Sequence, residues 1–378
     1  MSAPQSIRQQ IAHGRSPDLE TVGEVAGAQR LRLGDRGVRQ RGERLGRQVL
    51  GAGPLERVLA EPGVTDVLVN GTAGVWVDRG RGLERDTTRV GSAEEIRALA
   101  VRLAGLAGRR LDDTAPCVDG LLPGGIRLHA VLPPLVDGAA HLSLRVPREV
   151  VPSIDEMLRL GTVDELGARV LRAVVEQRLA FVVSGGTGSG KTTLLATLLS
   201  LVDPADRILV VEDVRELAVQ HPHVVRMQSR SANVEGRGAI DMTHLVKQSL
   251  RMRPDRVVVG EVRGPEMREL LSALNTGHEG GCGTLHANAI EDVVARFEAL
   301  GALADMTPAA VHAQLGSALD CVLHVKRLPE RRVLAQVGVL VAGEDGRVRA
   351  LPAMDFRAGG LRPAAAWDRL QDLLGWSR

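Results

Sequence analysis

The stretch that decides the fold is Gly185-Gly186-Thr187-Gly188-Ser189-Gly190-Lys191-Thr192. It fits the spacing G-x-x-x-x-G-K-[ST] at every fixed position. Residues 179–183 before it are apolar and predict a buried strand, and residues 193–199 after it predict a helix. A strand, a glycine-rich loop and a helix in this order form the context that a phosphate-binding loop requires.

Each part of this loop suits a bound phosphate. Glycines allow successive backbone N–H groups to turn toward an anion, and the helix that begins there adds its positive dipole end. Lys191 supplies a point charge for the outer phosphates, and the Thr192 hydroxyl can hold Mg²⁺. We therefore predict that residues 185–192 and Thr193 bind a nucleoside triphosphate, with Thr192 as a Mg²⁺ ligand.

Length and composition indicate a globular protein with more than one domain. The chain has 378 residues, 44% of them hydrophobic, and a net charge of +2, so charge balance alone predicts neither nucleic-acid nor membrane binding. Cys117, Cys282 and Cys321 lie far apart, which argues against a disulfide framework or a zinc site and suits a reducing cytoplasm. Neither a membrane-spanning apolar run nor a signal pattern is present. We expect a cytoplasmic protein that meets the inner face of the membrane through partners.

Changes in sequence pattern divide the chain into five segments. The predicted segments are a basic, partly helical arm at 1–47, an α+β domain at 48–147, a linker at 148–156, a larger domain at 157–356 and a C-terminal tail at 357–378. The arm has nine arginines against five acidic residues and fits either a partner- or membrane-binding segment or a solvated helix. In the α+β domain, Ser92 and Glu95 form a capping box that opens a helix over 92–107.

Strands alternate with helices in the larger domain. The predicted strands are 179–183, 207–211 and 256–260, and the predicted helices lie within 153–178 and at 193–199, 242–252, 265–274, 291–300 and 308–319. This alternation predicts an α/β fold with a mostly parallel sheet that is covered on both faces. We interpret Glu279–Gly283 as a glycine-rich turn and expect antiparallel strands within 321–351.

Acidic residues follow two of the predicted strands. Glu212 and Asp213 follow one strand, and Glu261 follows the other. The carboxyl ends of neighbouring parallel strands converge on a ligand, so we predict Glu212 and Glu261 as catalytic residues and as Mg²⁺ ligands, partly through water. Gly260 stands where an aspartate often binds Mg²⁺, which leaves this task to the glutamates. An exposed acid at a strand end is the alternative for each.

Two histidines flank the glycine-rich segment. They are His278 and His286, and two ligands are too few for a structural zinc site. We interpret His286 as a sensor of phosphate or of conformation. A purely structural role for either histidine remains an alternative.

Together these motifs resemble the type II/IV secretion and type IV pilus ATPase superfamily, and within it the TadA/CpaF branch. The resemblance covers roughly residues 50–325 and comprises the Walker A loop, an acidic box, an atypical Walker B segment and a histidine box. These motifs lie at 185–192, 211–217, 250–264 and 275–288, with a further matching segment at 230–238. Matches in the smaller domain include Gly53-Pro54-Leu55, Val69-Asn70-Gly71 and Gly124-Gly125-Ile126-Arg127. Cys282 departs from the serine more common in the histidine box.

The resemblance implies a C-terminal RecA-like P-loop domain, a smaller N-terminal PAS-like domain and a homo-hexameric ring with ATP sites between the two domains. It also implies that arginines of the smaller domain contact the phosphates, and Arg127 and Arg145 occupy the matching positions. A cation that arrives on closure stabilises charge on a transferring phosphoryl group. Arg215, Arg251 and Arg263 are further candidates at subunit or domain boundaries.

The resemblance therefore predicts a motor that hydrolyses ATP, with Mg²⁺, to power Flp/Tad-type pilus assembly or protein secretion through an inner-membrane platform. An alternative is an ATPase for conjugal DNA transfer or nucleic-acid translocation. The chain has no tyrosine and three phenylalanines, so it lacks aromatic stacking platforms and we expect no direct nucleic-acid binding. A nucleotide-gated scaffold without turnover is a third alternative, against which the intact Glu212 and Glu261 argue.

Overall fold

A computed structural model of the chain describes residues 51–376, apart from 81, 147–150, 231–236, 330 and 358–359. The chain divides into two compact units between residues 148 and 149. The predicted arm at 1–47 lies outside the described residues. Within the described part of the chain, every helix is too short or too polar to cross a membrane.

The first unit is an antiparallel sheet with a long helix on one face. Its strands lie in the order β3-β2-β1-β6-β5-β4. The strands are β1 Asp66–Asn70, β2 Val75–Asp78, β3 Leu83–Asp86, β4 Cys117–Leu121, β5 Arg127–Val131 and β6 His141–Arg145. The helices are α1 Glu56–Leu59 and α2 Ala93–Leu106, with 3-10 helices at Gly53–Leu55, Gly71–Ala73 and Pro123–Gly125.

Helix α2 covers the apolar face of this sheet. Leu99 and Leu103 on α2 share a buried cluster with Val67 on β1 and Leu144 on β6. Burial alternates along β1 and β6, so the residues between these positions form the more exposed face of the sheet. The sequence did not predict β3 and β4, because β3 is mostly exposed and β4 contains a glycine, and neither has a clear apolar alternation.

The capping box at the start of α2 is confirmed. The Ser92 hydroxyl accepts a hydrogen bond from the N–H of Glu95, and the Glu95 carboxylate accepts one from the N–H of Ser92. Two of the unpaired N–H groups at the helix start are thereby satisfied. The helix ends at Leu106, close to the predicted end at residue 107.

The second unit is built on a nine-stranded sheet in the order β15-β14-β13-β12-β7-β11-β10-β8-β9. The strands are β7 Phe181–Gly185, β8 Ile208–Glu212, β9 Val224–Gln228, β10 Arg256–Val259, β11 Cys282–Leu285, β12 Cys321–Arg327, β13 Arg332–Ala342, β14 Val348–Arg357 and β15 Gly360–Pro363. The six strands from β12 to β9 are parallel. The remaining three extend the sheet in antiparallel fashion.

Helices cover both faces of this sheet. They are α3 Ile154–Arg159, α4 Glu165–Glu176, α5 Lys191–Leu199, α6 Met242–Ser249, α7 Glu266–Leu274, α8 Asp292–Leu303, α9 Pro308–Ala318 and α10 Trp367–Leu373, with a 3-10 helix at Leu250–Met252. One buried cluster gathers α4, α5 and α10, and a second gathers α6 to α9. The central strands β7, β8 and β10 are buried along their whole length, as strands covered on both sides require. The predicted fold class is confirmed.

The prediction of a turn at Glu279–Gly283 is wrong for its last two residues, Cys282 and Gly283, which lie in a strand. The central strand β11 begins at Cys282, between β7 and β10. Glycines there indicate close packing rather than a turn. A side chain at Gly281 would come within 2.4 Å of Leu274, and one at Gly283 within 2.8 Å of the Val259 carbonyl oxygen.

Candidate nucleotide-binding site

The glycine-rich loop links β7, in the parallel core of the second unit's sheet, to helix α5. Gly185, Gly188 and Gly190 adopt φ values of 150°, 69° and 103°, which side chains disfavour. A Cβ on Gly185 would also lie 2.4 Å from the carbonyl oxygen of Val325. Both the backbone angles and the close approach of β12 therefore require glycine in the loop.

Lys191 lies inside this loop. Its buried side chain donates hydrogen bonds from Nζ to the carbonyl oxygens of Gly185, at 3.0 Å, and Gly186, at 2.9 Å. The Ser189 hydroxyl is buried in the same loop and has no hydrogen-bond partner among the described residues. A buried polar group of this kind suits a polar ligand, so the loop fits the phosphates of a nucleotide.

His286 joins the loop to the acidic strand end. Its Nε2 lies 2.8 Å from Oε1 of Glu261, and its Nδ1 lies 3.5 Å from Nζ of Lys191. Lysine only donates and a carboxylate only accepts, so a neutral His286 with its proton on Nε2 suits both neighbours. The structure thus brings together three predicted site residues from separate motifs.

Arg263 completes the polar surface around Glu261. Its guanidinium forms an ion pair with Asp213 and lies 3.9 Å from Oε2 of Glu261. The side chains of all three residues are partly exposed, so solvent and ligands can reach them. Arg263 thus lies beside the catalytic candidates within its own unit, and its place at a subunit or domain boundary stays a prediction.

Glu212 occupies a different environment from Glu261. It is 3% exposed, and its Oε1 accepts hydrogen bonds from the N–H groups of Glu216 and Leu217, both at 2.9 Å. Burial raises the pKa of the Glu212 carboxyl, against the effect of these two bonds. Its Oε2 is buried and has no partner among the described residues, which leaves one oxygen for water or a metal ion.

The packing of Glu212 explains the glycine in the Walker B segment. Strands β8 and β10 are neighbours, and a Cβ on Gly260 would lie 2.6 Å from Cγ of Glu212. The Glu212 side chain therefore fills the space that a side chain at position 260 would need. A carboxylate of the neighbouring strand β8 thus lies against the position where an aspartate was expected.

The oxygen donors present fit a magnesium ion. They are the Thr192 hydroxyl in the first turn of α5, the Glu261 carboxylate and Oε2 of Glu212. Among the described residues, no cluster of three or more His, Cys, Asp or Glu could hold a metal ion by itself. Mg²⁺ is commonly bound through one or two carboxylates and substrate phosphates, which suits this sparse set of donors.

Arg127 and Arg145 lie in the first unit. They stand directly opposite each other on β5 and β6, and Asp66 on β1 stands opposite Arg145. Like charges in directly opposite positions destabilise a sheet unless an anion or an acid compensates them. Arg215 and Arg251, the other candidates, are exposed in the second unit.

The sequence did not single out the buried pair of Ser184 and His324. Ser184 Oγ and His324 Nδ1 are 2.8 Å apart, one residue before the loop begins. Burial, with the charges of Lys326 and Lys191 adding to it, lowers the pKa of His324 to about 4. The sequence signal that could have revealed this pair was a histidine within the apolar stretch 321–325.

Glu266 was also missed. It is buried at the start of α7, and its Oε1 accepts hydrogen bonds from the N–H groups of Arg263, at 2.8 Å, and Gly264, at 2.9 Å. It thereby fixes the backbone that carries Arg263 beside Glu261. An acid in the first turn of a helix was the only signal, and many helices share it.

Comparison with known proteins identifies the family. The family model described as Type II/IV secretion system protein matches residues 48–335. A Mycobacterium tuberculosis (strain ATCC 25618 / H37Rv) protein, provisionally named a conjugal transfer protein, is 50% identical over 334 residues, or 86% of this chain and 94% of that protein. The conjugal transfer protein TrbB of Rhizobium radiobacter is 31% identical over 279 residues, or 72% of this chain and 83% of that protein.

The solved structure of the Legionella pneumophila ATPase DotB has a similar fold. Its TM-score is 0.53 at 22% identity, over 79% of this chain and 82% of that one. The chain belongs to the type II/IV secretion system protein family, and the predicted superfamily is confirmed. The TadA/CpaF branch remains a prediction.

A substitution of Gly260 by alanine tests the packing against Glu212. The added methyl group would displace Glu212 and break its bonds to residues 216 and 217, so we expect a loss of about 1–3 kcal/mol in the free energy of unfolding. Hydrogen exchange at those two amides should also accelerate. Gly105→Ala is the control, because Gly105 lies within α2 and nothing lies within 4 Å of the added methyl group. If Gly260→Ala and Gly105→Ala had the same free energy of unfolding, the close contact between Gly260 and Glu212 would be contradicted.

The buried His324 predicts a pH dependence of stability. Its pKa is about 4 in the folded chain, below its ordinary value of 6.5. Between these values the unfolded chain binds a proton that the folded chain does not, so stability falls as the pH drops from 6.5 to 4. In His324→Gln the urea midpoint should fall less steeply over this range than in the wild type. If the urea midpoints of the wild type and of His324→Gln fell equally with pH, His324 would not be the source of the pH dependence.

Proposed function

We propose that the protein is an ATPase motor of a type II/IV secretion or pilus system that hydrolyses ATP to ADP and phosphate. The observation that carries the proposal is the link from Lys191 in the glycine-rich loop, through His286 after β11, to Glu261 after β10. This arrangement places a phosphate-binding cation and a carboxylate on the two sides of one histidine. Membership of the secretion family supports the same activity.

The glycine-rich loop is the proposed ATP site. N–H groups of residues 185–190 and the first turn of α5 face the phosphates, and Lys191 exchanges its carbonyl partners for phosphate oxygens. Thr192 and the glutamates are the proposed Mg²⁺ ligands. A Mg²⁺ ion held by these residues would neutralise charge on the outer phosphates.

Glu261 is the residue that we assign to the attacking water. His286 contacts its Oε1 at 2.8 Å, and we assign Oε2, which lies 3.9 Å from the Arg263 guanidinium, to accept a hydrogen bond or proton from water. His286 also contacts Lys191. On this proposal, a movement of Lys191 toward phosphate changes the contact between His286 and Glu261. Buried Glu212 supports this geometry from the next strand, and its Oε2 is the second candidate for water or metal.

The two candidate arginines of the first unit are the cations that, on this proposal, reach the phosphates when the site closes. Arg127 and Arg145 present two positive charges side by side on neighbouring strands, where they would stabilise the negative charge that develops on a transferring phosphoryl group. On this proposal six copies form a ring and the first unit moves during each cycle. The protein works in the cytoplasm against an inner-membrane platform and meets the membrane through those partners.

There are two alternatives for the material that the proposed motor moves. The resemblance to the TadA/CpaF branch favours a Flp/Tad-type pilus or an exported protein. The names of the two relatives described above favour conjugal transfer. The scarcity of aromatic residues argues that, in either case, the chain itself does not bind nucleic acid.

Two of the chain's three lysines allow a matched test of hydrolysis. Lys191→Ala should abolish ATP binding and turnover, whereas Lys247→Ala should leave both unchanged, because Lys247 is exposed and pairs with Glu269 at 3.3 Å. Glu261→Gln should still bind ATP and assemble, with turnover reduced at least about 100-fold. Phosphate release by the purified protein measures each effect. Full turnover in Glu261→Gln would remove Glu261 from the mechanism.

The role of nucleic acid is tested by ATP turnover with and without single-stranded DNA. We expect no stimulation at about 0.15 M salt, since the chain lacks a stacking platform. Heparin serves as a polyanion control. Stimulation by DNA but not by heparin, declining as salt rises, would favour a translocase that grips DNA directly.

A further inference from the structure

The hairpin of β12 and β13 lies beside the phosphate loop. Strand β12 pairs with β7 up to Val325, which stands opposite Gly185, the first residue of the loop. Where the hairpin closes, Arg327 and Arg332 stand directly opposite each other. Two cations are therefore held side by side next to the loop, an arrangement that anions stabilise.

Arg332 contacts the loop at two points. Its Nε donates a hydrogen bond of 3.0 Å to the carbonyl oxygen of Gly188. Its Cδ lies 3.0 Å from where a Cβ on Gly190 would be, so the stem of Arg332 packs against that glycine. Arg327 reaches the same segment, with Nη1 3.7 Å from the corresponding position on Gly188.

The bond to Gly188 sets the direction of a loop amide. The C=O of Gly188 and the N–H of Ser189 belong to one planar peptide and point in opposite directions. Because Arg332 holds the carbonyl on one side, the N–H of Ser189 is turned to the other. It points toward the carbonyl oxygen of Gly186, 3.4 Å away, which also accepts from Lys191. The amide is thus aimed to the side on which Lys191 lies.

We infer that Arg332 is a positioning residue of the nucleotide site. It holds the peptide between Gly188 and Ser189 so that its N–H group is ready for a phosphate oxygen, and Arg327 adds positive charge at the same segment. The inference rests on the proposed function, in which this loop binds ATP. It assigns to an antiparallel hairpin outside the family motifs a direct part in forming the phosphate site.

The test compares neighbouring arginines of the same hairpin. Arg332→Ala should weaken binding of a fluorescent ADP analogue about tenfold and raise KM more than it lowers kcat. Hydrogen exchange of the loop peptide should accelerate without nucleotide, with no greater loss of thermal stability than in the control. Arg331→Ala is that control, because Arg331 is exposed and its guanidinium lies over Phe356, 5.8 Å from the ring centre.

Arg332→Lys separates charge from positioning. It keeps the cation but lacks the Nε donor, so loop exchange should remain fast while nucleotide affinity recovers in part. The inference would be overturned if Arg332→Ala matched Arg331→Ala in both hydrogen exchange of the loop peptide and affinity for the ADP analogue. Failure of the wild type to bind the analogue would instead overturn the proposed function, and loop exchange would still decide the role of Arg332.

Discussion

The bridge that His286 makes between Lys191 and Glu261 is the interaction on which the site depends. These residues follow three different strands, and only the parallel arrangement of β7, β11 and β10 brings them to one edge. Glu261 and His286 are partly exposed, whereas the side chain of Lys191 is buried in the loop. Joined, they place the phosphate loop and the carboxylate in contact through one histidine.

Close packing of backbone around glycines makes this arrangement possible. Gly185 admits the carbonyl of Val325, Gly283 admits that of Val259, and Gly260 admits the side chain of Glu212. Strands in this region approach their neighbours more tightly than side chains would permit. The glycines therefore serve two purposes, since some give the loop its backbone angles and others bring together the strand ends that carry the candidate residues.

Much of this could be predicted from local sequence. The loop, the helix with its Ser92 cap, the parallel core and the acidic strand ends all follow from spacing and periodicity. Strand β11 could not, because its glycines are typical of a turn until the neighbours that need them are known. The contacts of Ser184 with His324 and of Gly188 with Arg332 join positions about 140 residues apart, so no local pattern reveals them.

The packing of Glu212 on Gly260 also ties these two positions together. Any side chain added at position 260 would need the space that Cγ of Glu212 fills, so Glu212 would have to shift before an aspartate could fit there. A substitution at either position therefore changes the room available at the other. Volume, as well as chemistry, thus limits which acidic residues these two strand ends can carry together.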